Sequence, residues 1–437
     1  MQFTTVRLLA AACCLFGTVV RADISSDELT AAVKSVEPKI VEWRRDFHLH
    51  PELSNREVRT ADIVAKKLKA LGLEVKTGIG VTGVAGLLRG GLPGPTIALR
   101  ADMDALPVVE QVDVPFKSKV TTEYRGEKVG VMHACGHDAH TAMLLGAAEV
   151  LAGMRKQLKG QVLFVFQPAE EGPPDGERGG ASLMLDEGLF KIAKPDAVFG
   201  LHVIASLPTG VIGYRSGPMM AGSDSFAIQV QGQQTHGSRP WGGIDPVVVS
   251  AQIINSLQTI VSRQIDITAI PAVVTVGAIK GGIRYNIIPD SVDMVGTIRT
   301  FDKDVRADII RRMDRTITKV AEASGATATL KVREPGNPPV INDPKLTARM
   351  LPTFARVVGK DNVREITLQT TAEDFSFYGQ QAPSLFFWVG ITPPGKDPAT
   401  VAFNHSPLFY VDEPGMAIGV RAMLAVATDY LQGTAAQ

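Results

Sequence analysis

The sequence has little cysteine, with only 3 among its 437 residues. Cys13 and Cys14 both lie in the first 22 residues, so a chain without that segment would keep Cys135 alone. One cysteine cannot form an internal disulfide. A disulfide-stapled fold is therefore excluded, and Cys135 is a free thiol, a packed core residue or a metal ligand.

The sequence also lacks an excess of charge of either sign. Lys plus Arg and Asp plus Glu both total 45, which gives a formal net charge of zero. It contains no internal repeat, low-complexity run or block of like charges. Nothing in this composition indicates binding to nucleic acid or to an anionic membrane surface.

A hydrophobic run long enough to span a membrane is missing as well. The apolar run at residues 8–20 follows one basic residue and is shorter than the roughly 20 residues of a spanning helix. It ends in Val-Arg-Ala, which predicts a cleaved signal peptide at residues 1–22, a secreted or periplasmic protein, and no membrane association after cleavage. A lipid on Cys13 or Cys14 is a disfavoured alternative because alanine, not leucine, stands three residues before each.

The remaining roughly 415 residues are more than one hydrophobic core usually serves, so we expect two domains. Short apolar runs at 95–102, 160–171 and 196–203 are typical of strands buried on both faces. A helical pattern at 139–158, with Asp138 as its expected cap, lies between the first two. This alternation predicts an α/β fold with a mostly parallel sheet.

The pattern changes near residue 219 to the order βαββαβ, which is the ferredoxin-like plan. The α/β character then resumes, so the smaller domain is expected to be an insertion. We predict a larger catalytic domain at 23–218 and 334–437, interrupted by a lid or dimerisation domain at 219–333. Near the start of the larger domain, Pro38 is expected to break or kink the first helix.

Residues 133–140, HACGHDAH, concentrate potential metal ligands in a short segment. If the backbone is extended, Cys135 and His137 point the same way, and thiolate with imidazole suits a divalent metal. Taken alone, the pair fits a core cysteine beside a capping histidine equally well. Other residues of metal-ligand type lie at the ends of predicted buried strands, namely Glu170-Glu171 and His202. In a parallel α/β sheet, ligands bind at the carboxyl ends of the strands, so these side chains are expected to lie near one another.

Two acidic pairs follow predicted buried strands. Because adjacent side chains in an extended segment point apart, one of Glu170 and Glu171 could bind metal while the other takes a proton from a metal-bound water. Asp102 or Asp104 could accept a hydrogen bond from a ligating histidine. Arg100 could instead pair with one of these aspartates for a structural purpose.

Ordered motifs then identify a family. RADMDALP, HACGHDAHTAMLLGAA, VLFVFQPAEEG, GLHV, THGSRP, RYNIIPD, TAEDFSFY and FNHSPLFYVDE follow one another along nearly the whole chain after the leader. In these motifs the sequence resembles the metal-dependent aminoacylase and carboxypeptidase family, in its hippurate hydrolase and auxin-conjugate amidohydrolase branch. The resemblance implies hydrolysis of the amide bond of an N-acyl amino acid, with a dipeptidase or carboxypeptidase as the alternative.

The resemblance also implies roles for single residues. Two divalent ions, zinc or manganese with cobalt or nickel as alternatives, would have as ligands Cys135, His137, Glu171, His202 and His405. Glu170 matches the general base and Asp104 the residue that braces a ligand. His236 matches a histidine that stabilises the oxyanion in the family, often from the partner subunit of a homodimer. Asn286 and Arg299 match residues that contact the substrate.

The sequence departs from the wider family at two ligand positions and beside a third site residue. Asp102 stands in place of a metal-binding histidine, and Cys135 in place of a bridging aspartate, although the branch shares both changes. Trp241 replaces part of an alanine-rich stretch and could reshape the substrate pocket. The remaining histidines are not expected to be ligands; they are His48, His50, His133 and His140.

Two rival functions differ in class from a metal-dependent amidohydrolase. A thiol hydrolase would use Cys135 with a histidine, and insensitivity to chelators would favour it. A silent binding protein would only close its two domains on a ligand, and the presence of Glu170 argues against it.

Overall fold

The structure is a computed structural model that describes residues 23–334 and 336–433. Its strands are β1 (Glu74–Ile79), β2 (Gly83–Arg89), β3 (Leu92–Asp102), β4 (Thr121–Tyr124), β5 (Glu127–Gly130), β6 (Lys159–Gln167), β7 (Ala197–Pro208), β8 (Ile212–Tyr214), β9 (Gly217–Met220), β10 (Gly222–Gln231), β11 (Thr235–His236), β12 (Ala272–Gly281), β13 (Ile287–Ile288), β14 (Ser291–Thr300), β15 (Thr327–Val332), β16 (Val340–Asn342), β17 (Val363–Glu365) and β18 (Ser384–Thr392). Its α-helices are α1 (Ser26–Leu49), α2 (Val58–Ala70), α3 (His137–Gly153), α4 (Gly180–Asp186), α5 (Leu189–Ile192), α6 (Pro246–Gln264), α7 (Lys303–Ala323), α8 (Pro344–Val358), α9 (Ser376–Gly379) and α10 (Pro414–Gln432).

A sheet of eight strands forms the larger domain, in the order β1-β2-β6-β3-β7-β18-β8-β17. Its central strands β6, β3, β7 and β18 are parallel. Successive residues of β3 enter different cores: Ile97 and Leu99 pack with α1, α3 and α10, while Ala98 packs with α4 and α5. A sheet covered on both faces explains the continuous apolar runs. The predicted mostly parallel α/β fold is confirmed.

Local features of this domain differ from the sequence expectation. Helix α1 continues through Pro38, which therefore does not break it. Its N-terminus is capped as its Ser-Ser-Asp-Glu start suggests, because Ser25 Oγ accepts a hydrogen bond of 3.2 Å from the Glu28 amide. The expectation that Asp138 caps α3 is wrong, since Gly136 is the N-cap and Asp138 instead accepts from Arg44 Nε at 2.8 Å.

The smaller sheet carries the predicted βαββαβ order in β10, α6, β12, β14, α7 and β15. Its antiparallel strands lie in the order β12-β14-β10-β15, which is that of a ferredoxin-like fold. Helices α6 and α7 cover one face and share a core with it that is separate from those of the large sheet. Side chains along β10 alternate between buried and exposed, as expected for a sheet with one open face.

The smaller sheet is inserted into the larger domain through two adjacent segments. Strand β9 before it and β16 after it pair with each other, with Met220 opposite Val340. The chain thus leaves and re-enters the larger domain at one place. Boundaries at residues 219 and 333 are our proposal for the extent of the insertion.

The predicted signal peptide, with Cys13 and Cys14, lies outside the described residues, so export stays a prediction. None of the helices within residues 23–433 that the structure describes is long and apolar enough to cross a membrane.

Candidate metal centre

The predicted ligands meet at the carboxyl ends of the parallel strands. Strand β3 ends at Asp102, and Glu170 and Glu171 lie in the turn a few residues after β6. The expectation that His202 ends its strand is wrong, because β7 continues to Pro208. Its pairing with β3 nevertheless stops at Gly200, and the register places His202 level with Asp102, at the carboxyl end of β3.

Cys135 and His137 converge through a turn and not through an extended segment as expected. Gly136 between them has φ 96° and is the N-cap of α3, and His137 is the first residue of that helix. A Cβ atom on Gly136 would lie 2.4 Å from Cγ2 of Val203, so the turn requires glycine both for its left-handed backbone and for space. The tight turn is what brings the two side chains together.

Two groups of candidate ligands share Cys135. In the first, Cys135 lies with His137 and His202, and its Sγ is 3.3 Å from His202 Nε2. In the second, Cys135 lies with Glu171 and His405; His405 Nε2 is 3.3 Å from Sγ and 3.1 Å from Glu171 Oε1. The five predicted ligands are thus brought together around one sulfur atom.

The histidines of the first group are oriented by hydrogen bonds from their other ring nitrogens. His137 Nδ1 donates to the carbonyl of Asp104 at 2.8 Å, and His202 Nδ1 donates to the carbonyl of Val203 at 2.7 Å. This arrangement fixes the tautomer that leaves Nε2 free to bind a cation. Both Nε2 atoms point into the cluster.

Asp104 contacts both sides of the cluster. Its carboxylate lies 3.3 Å from His137 Nδ1 and accepts the backbone amides of Glu170 at 3.1 Å and Glu171 at 3.0 Å. Ser54 Oγ donates to it at 2.7 Å. One buried carboxylate therefore fixes a candidate ligand and the turn that carries both glutamates.

The backbone around the cluster is strained at two non-glycine residues. Ala169, directly before the two glutamates, has φ 53°, and His405 has φ 73°. Such left-handed conformations cost free energy in residues with a side chain and are often found at functional sites. His405 is held in this conformation by its amide, which donates to the carbonyl of Ala134 at 2.8 Å.

Of the other histidines, His140 alone belongs to a candidate ligand group of the described chain, with Asp102 and His137. His140 donates from Nδ1 to Asp102 at 2.6 Å and accepts the Val203 amide at Nε2 at 2.9 Å, so both its nitrogens are engaged. His48 is buried between Asp138 at 2.7 Å and Glu110 at 3.0 Å. His133 is fully buried, His50 is half-exposed on the surface, and neither belongs to a ligand group of the described chain.

The electrostatics of the cluster fit a bound cation. Among the described residues, His137 Nε2 is buried without a hydrogen-bond partner. Burial and then the charges of Glu171 and Glu170 raise the pKa of the Cys135 thiol well above its ordinary value. Burial opposes the charged form of His137, yet Asp102 and Asp104 raise its pKa to about 10. The site thus collects negative charge around donors that suit divalent metals.

A buried ion cluster lies next to this site, and only the pairing of Arg100 with an aspartate was suggested by the sequence. Arg100 is fully buried and donates to Asp102 at 2.8 Å, Glu373 at 2.8 Å and Asp374 at 3.1 Å. Glu373 and Asp374 belong to the TAEDFSFY motif, which supports the family resemblance, but the sequence indicated no role for either residue. The signal that could have indicated them is an adjacent acidic pair in an otherwise uncharged motif.

Of the three site residues predicted on the inserted domain, one lies at the ligand cluster and two lie away from it. Arg299 lines a cavity of about 320 Å³ with Cys135, Glu171 and His202, whereas neither His236 nor Asn286 lines it within the described chain. Those two residues lie together elsewhere, where the amide beside His236, that of Gly237, donates to the carbonyl of Asn286 at 2.9 Å. Trp241 is on the same side of the insertion and is 76% exposed.

The α/β domain, its inserted ferredoxin-like domain and a ligand cluster at the strand ends define a metal-dependent hydrolase. The sequence pattern of Peptidase family M20/M25/M40 matches residues 98–429, and the chain belongs to this family. The family resemblance inferred from the motifs is confirmed.

Individual relatives agree with this assignment. The chain is 42% identical to thermostable carboxypeptidase 2 of Saccharolobus solfataricus, over 92% of this chain and 98% of that protein. It is 37% identical to the N-acetyl-L-cysteine deacetylase of Bacillus subtilis, over 87% and 85% of the two chains. A dinuclear metal-binding M20 peptidase from Bacillus subtilis matches with a TM-score of 0.74 at 34% identity, over 91% of this chain and 99% of that one.

Proposed function

We propose that the protein hydrolyses the amide bond of N-acyl amino acids or related aminoacyl conjugates with a metal-activated water. The observation that carries the proposal is the pair Glu170 and Glu171, whose carboxylates each lie 4.0 Å from His137 Nε2. Glu171 also reaches His405, while Glu170 instead lies against Glu373 and Asp374. The two neighbouring carboxylates are thus suited to different tasks.

Two divalent ions would be held by Cys135, His137, Glu171, His202 and His405, and would polarise the amide carbonyl and lower the pKa of the attacking water. Glu170 takes a proton from that water and returns it to the leaving amine. Burial and then the charges of Glu373 and Glu171 raise the pKa of Glu170 well above its ordinary value, which suits a group that must hold a proton between these steps. Asp104 keeps His137 and the turn of Glu170 in position.

Arg299 is the group that we assign to the carboxylate of the amino acid. It is half-buried on the cavity wall, and it forms no ion pair with another residue of the described ranges. Burial lowers its pKa from the ordinary value, but an arginine stays charged at neutral pH. An unpaired guanidinium beside the ligand cluster would fix the acidic end of the substrate.

His236 is proposed to act on the active site of a second subunit in a homodimer. Its Nδ1 accepts from the Ser238 amide at 3.1 Å, which leaves Nε2–H as a free donor for an oxyanion. It does not line the cavity of its own chain. The edge strand β12 exposes Val273 and Ile279, which supports a dimer built through the inserted domain.

Mixing two inactive variants tests this arrangement. Glu170→Gln and His236→Ala should each be inactive as homodimers, whereas a heterodimer has one intact site if His236 crosses to the partner subunit. After subunit exchange we expect roughly a quarter of the wild-type activity. Activity that stays at the level of the separate variants, or a monomeric active protein in sedimentation, would contradict the proposal.

A dipeptidase or carboxypeptidase with the same centre is the second candidate, and the Saccharolobus relative supports it. Such an enzyme needs a carboxylate for the free α-ammonium of its substrate. On the wall of a neighbouring cavity of about 560 Å³, which shares Glu171 with the cavity at the cluster, Glu52 accepts the amides of Arg59 and Thr60, and Asp175 pairs with Arg125. Only the exposed Glu123 of that wall is left for this task among the described residues, which favours a blocked amino group.

Amine release from matched substrates distinguishes the two candidates. The metal-loaded protein would be given N-acetyl and N-benzoyl amino acids beside dipeptides with the same C-terminal residue. We expect kcat/KM to be at least tenfold higher for the blocked substrates. A preference for the free dipeptides would make the protein a dipeptidase and would point to Glu123.

The thiol hydrolase is not supported by the surroundings of Cys135. A nucleophilic cysteine needs a lowered pKa, which a cationic neighbour usually provides. Here burial and two glutamates raise the pKa of Cys135, and burial followed by His140 lowers the pKa of the adjacent His202. These two pKa shifts oppose a thiolate–imidazolium couple between Cys135 and His202.

A further inference from the structure

Three successive backbone amides in the turn of the two glutamates donate to buried carboxyl groups. Asp104 accepts the amides of Glu170 and Glu171. The amide of Ala169, directly before them, donates to Glu57 Oε1 at 2.9 Å. Glu57 is fully buried and directly precedes helix α2. The proposed function gives Glu57 no task, although it holds the same turn as Asp104.

The side chain of Glu57 does not serve its own helix. Glu57 is the N-cap residue of α2, yet its side chain makes no capping hydrogen bond there. The amides of Arg59 and Thr60 in the first turn of α2 donate to Glu52 instead, at 2.9 and 2.8 Å. A buried carboxyl group is costly unless its oxygens are hydrogen-bonded. The partners that offset this cost for Glu57 therefore lie outside the helix.

Glu57 and Asp104 hold the peptide planes on either side of Ala169. A peptide unit is planar, so a hydrogen bond from its N–H restricts the rotation of the whole plane. Glu57 holds the plane before Ala169, and Asp104 holds the plane after it through the amide of Glu170. The dihedral angles of Ala169 relate these two planes, and its φ of 53° is unfavourable for a residue with a Cβ atom. Two buried carboxyl groups thus keep the strained residue in its left-handed conformation.

The surroundings of Glu57 suit a carboxyl group that accepts at one oxygen and donates at the other. Burial and then the charge of Asp104 raise the pKa of Glu57 to about 8. Its Oε2 lies 2.5 Å from Thr82 Oγ1, so the protonated form can donate there while Oε1 accepts the amide of Ala169. Glutamine offers one acceptor and one donor in the same places, and is therefore the conservative replacement.

We propose that Glu57 is a positioning residue of the active site, which holds Ala169 in the left-handed conformation and thereby keeps the two following glutamates in place. The inference rests on the function proposed for Glu170 and Glu171, and it adds a second brace to Asp104. Without Glu57, residue 169 is free to return to negative φ, which turns both carboxylates away from their positions. A misplacement of about 1 Å in an active site can lower a rate by about 10²-fold.

Substitutions at residues 57 and 169 test the inference, with kcat measured on whichever substrate class the wild type prefers. Glu57→Met has nearly the length of glutamate but does not accept the amide, and it should lower kcat by about 10- to 100-fold with KM changed by less than about threefold. Glu57→Gln should retain kcat within about threefold. Adding Ala169→Gly to Glu57→Met should raise kcat again by about fivefold or more, because glycine adopts positive φ without a partner.

The visible absorption of the cobalt-loaded protein reports the same turn without turnover. Glu171 is a proposed ligand, and the absorption bands of Co²⁺ depend on the geometry of its ligands. Glu57→Met should change these bands, whereas Glu57→Gln and the double variant with Ala169→Gly should keep the wild-type spectrum. If the wild type hydrolyses neither substrate class, the proposed function fails, and the spectra still decide whether Glu57 positions the turn.

Glu110→Met is the matched control for lost stability. Glu110 is another buried glutamate and accepts the amide of Ser118 at 2.6 Å, away from the turn. We expect this variant to unfold at lower urea concentration, yet to keep kcat within about threefold and the wild-type cobalt spectrum. If Glu57→Met does not fold, Glu57→Asp replaces it, because the shorter side chain retains the carboxyl group but does not reach the amide of Ala169.

Three results would overturn the inference. Equal losses of kcat in Glu57→Met and Glu110→Met would show that Glu57 acts only through stability. A Glu57→Gln variant as slow as Glu57→Met, or a double variant that Ala169→Gly does not restore, would show that the hydrogen bond to Ala169 is not what matters. Wild-type kcat and spectrum in Glu57→Met would remove Glu57 from the site altogether.

Discussion

Glu170→Gln should lower kcat by roughly 10²- to 10⁴-fold while the protein keeps its bound metal. Glutamine has nearly the shape of glutamate and can fill the same space beside His137 and Glu373, but it cannot take a proton from water. The predicted ligands are left intact. Steady-state kinetics and elemental analysis of the purified variant measure the two quantities.

Two further variants assign the effect to Glu170. Glu171→Gln, one residue along, removes a proposed ligand, so we expect metal content and turnover to fall together. Glu177→Gln removes a carboxylate of the same loop, one that pairs with Arg56 at the surface. We expect this substitution to change kcat by less than about threefold. Wild-type turnover in Glu170→Gln would exclude Glu170 as the general base, and loss of metal in that variant would make it a ligand.

The order of elements could be predicted because local sequence and tertiary structure agree. The apolar run at 95–102 is a strand packed on both faces, and SVDMVGTIRT is strand β14 over its full length. Pro38 shows the limit of such reasoning. The intrinsic cost of proline in a helix is offset here by the packing of α1 against α3 and α10.

Predicting the residue types of the site was easier than predicting its geometry. Strand ends and the family motifs brought Cys135, Glu171 and His202 into one list. The left-handed turn at Gly136 and the mid-strand position of His202 depend on long-range packing against Val203 and β18, which no local pattern reveals. The hairpin of β4 and β5 was not predicted either. Its two strands pair only with each other and do not continue the hydrophobic pattern of the main sheet.

Of the cluster around Arg100, only the pairing with an aspartate of the same motif could be suggested from the sequence, since Glu373 is 273 residues from Arg100 along the chain. Arg100 Nε donates to Gln167 at 2.9 Å, so every nitrogen of the guanidinium has a buried partner. Through Asp102 the cluster continues to His140, whose Nε2 accepts the amide of Val203 beside His202. It therefore joins β3 and β7 to the loop of Glu373 beneath the metal centre.

Arg100→Met should lower the free energy of unfolding by about 3–5 kcal/mol, because it removes the buried cation beside Asp102 and leaves the carboxyl oxygens of Glu373 and Asp374 buried without their donor. Methionine is close to arginine in length and adds no clash, so the loss reports the missing charge and hydrogen bonds. Urea titration of the purified protein, followed by a spectroscopic signal, measures the change. The turnover number should fall too, since Glu170 lies against Glu373 and Asp374.

Arg89→Met is the matched control, because Arg89 forms an ion pair of 2.6 Å with Glu74 at the surface, where 60% and 61% of the two side chains are exposed. Water solvates both charges there once the pair is broken, and we expect little change in stability. Arg100→Lys should fall between the two, since one ammonium keeps the charge but cannot reach four acceptors in the plane of a guanidinium. If Arg100→Met unfolds at the same urea concentration as Arg89→Met, the buried carboxylates are neutralised by protons in the folded protein, and Arg100 is not what holds them together.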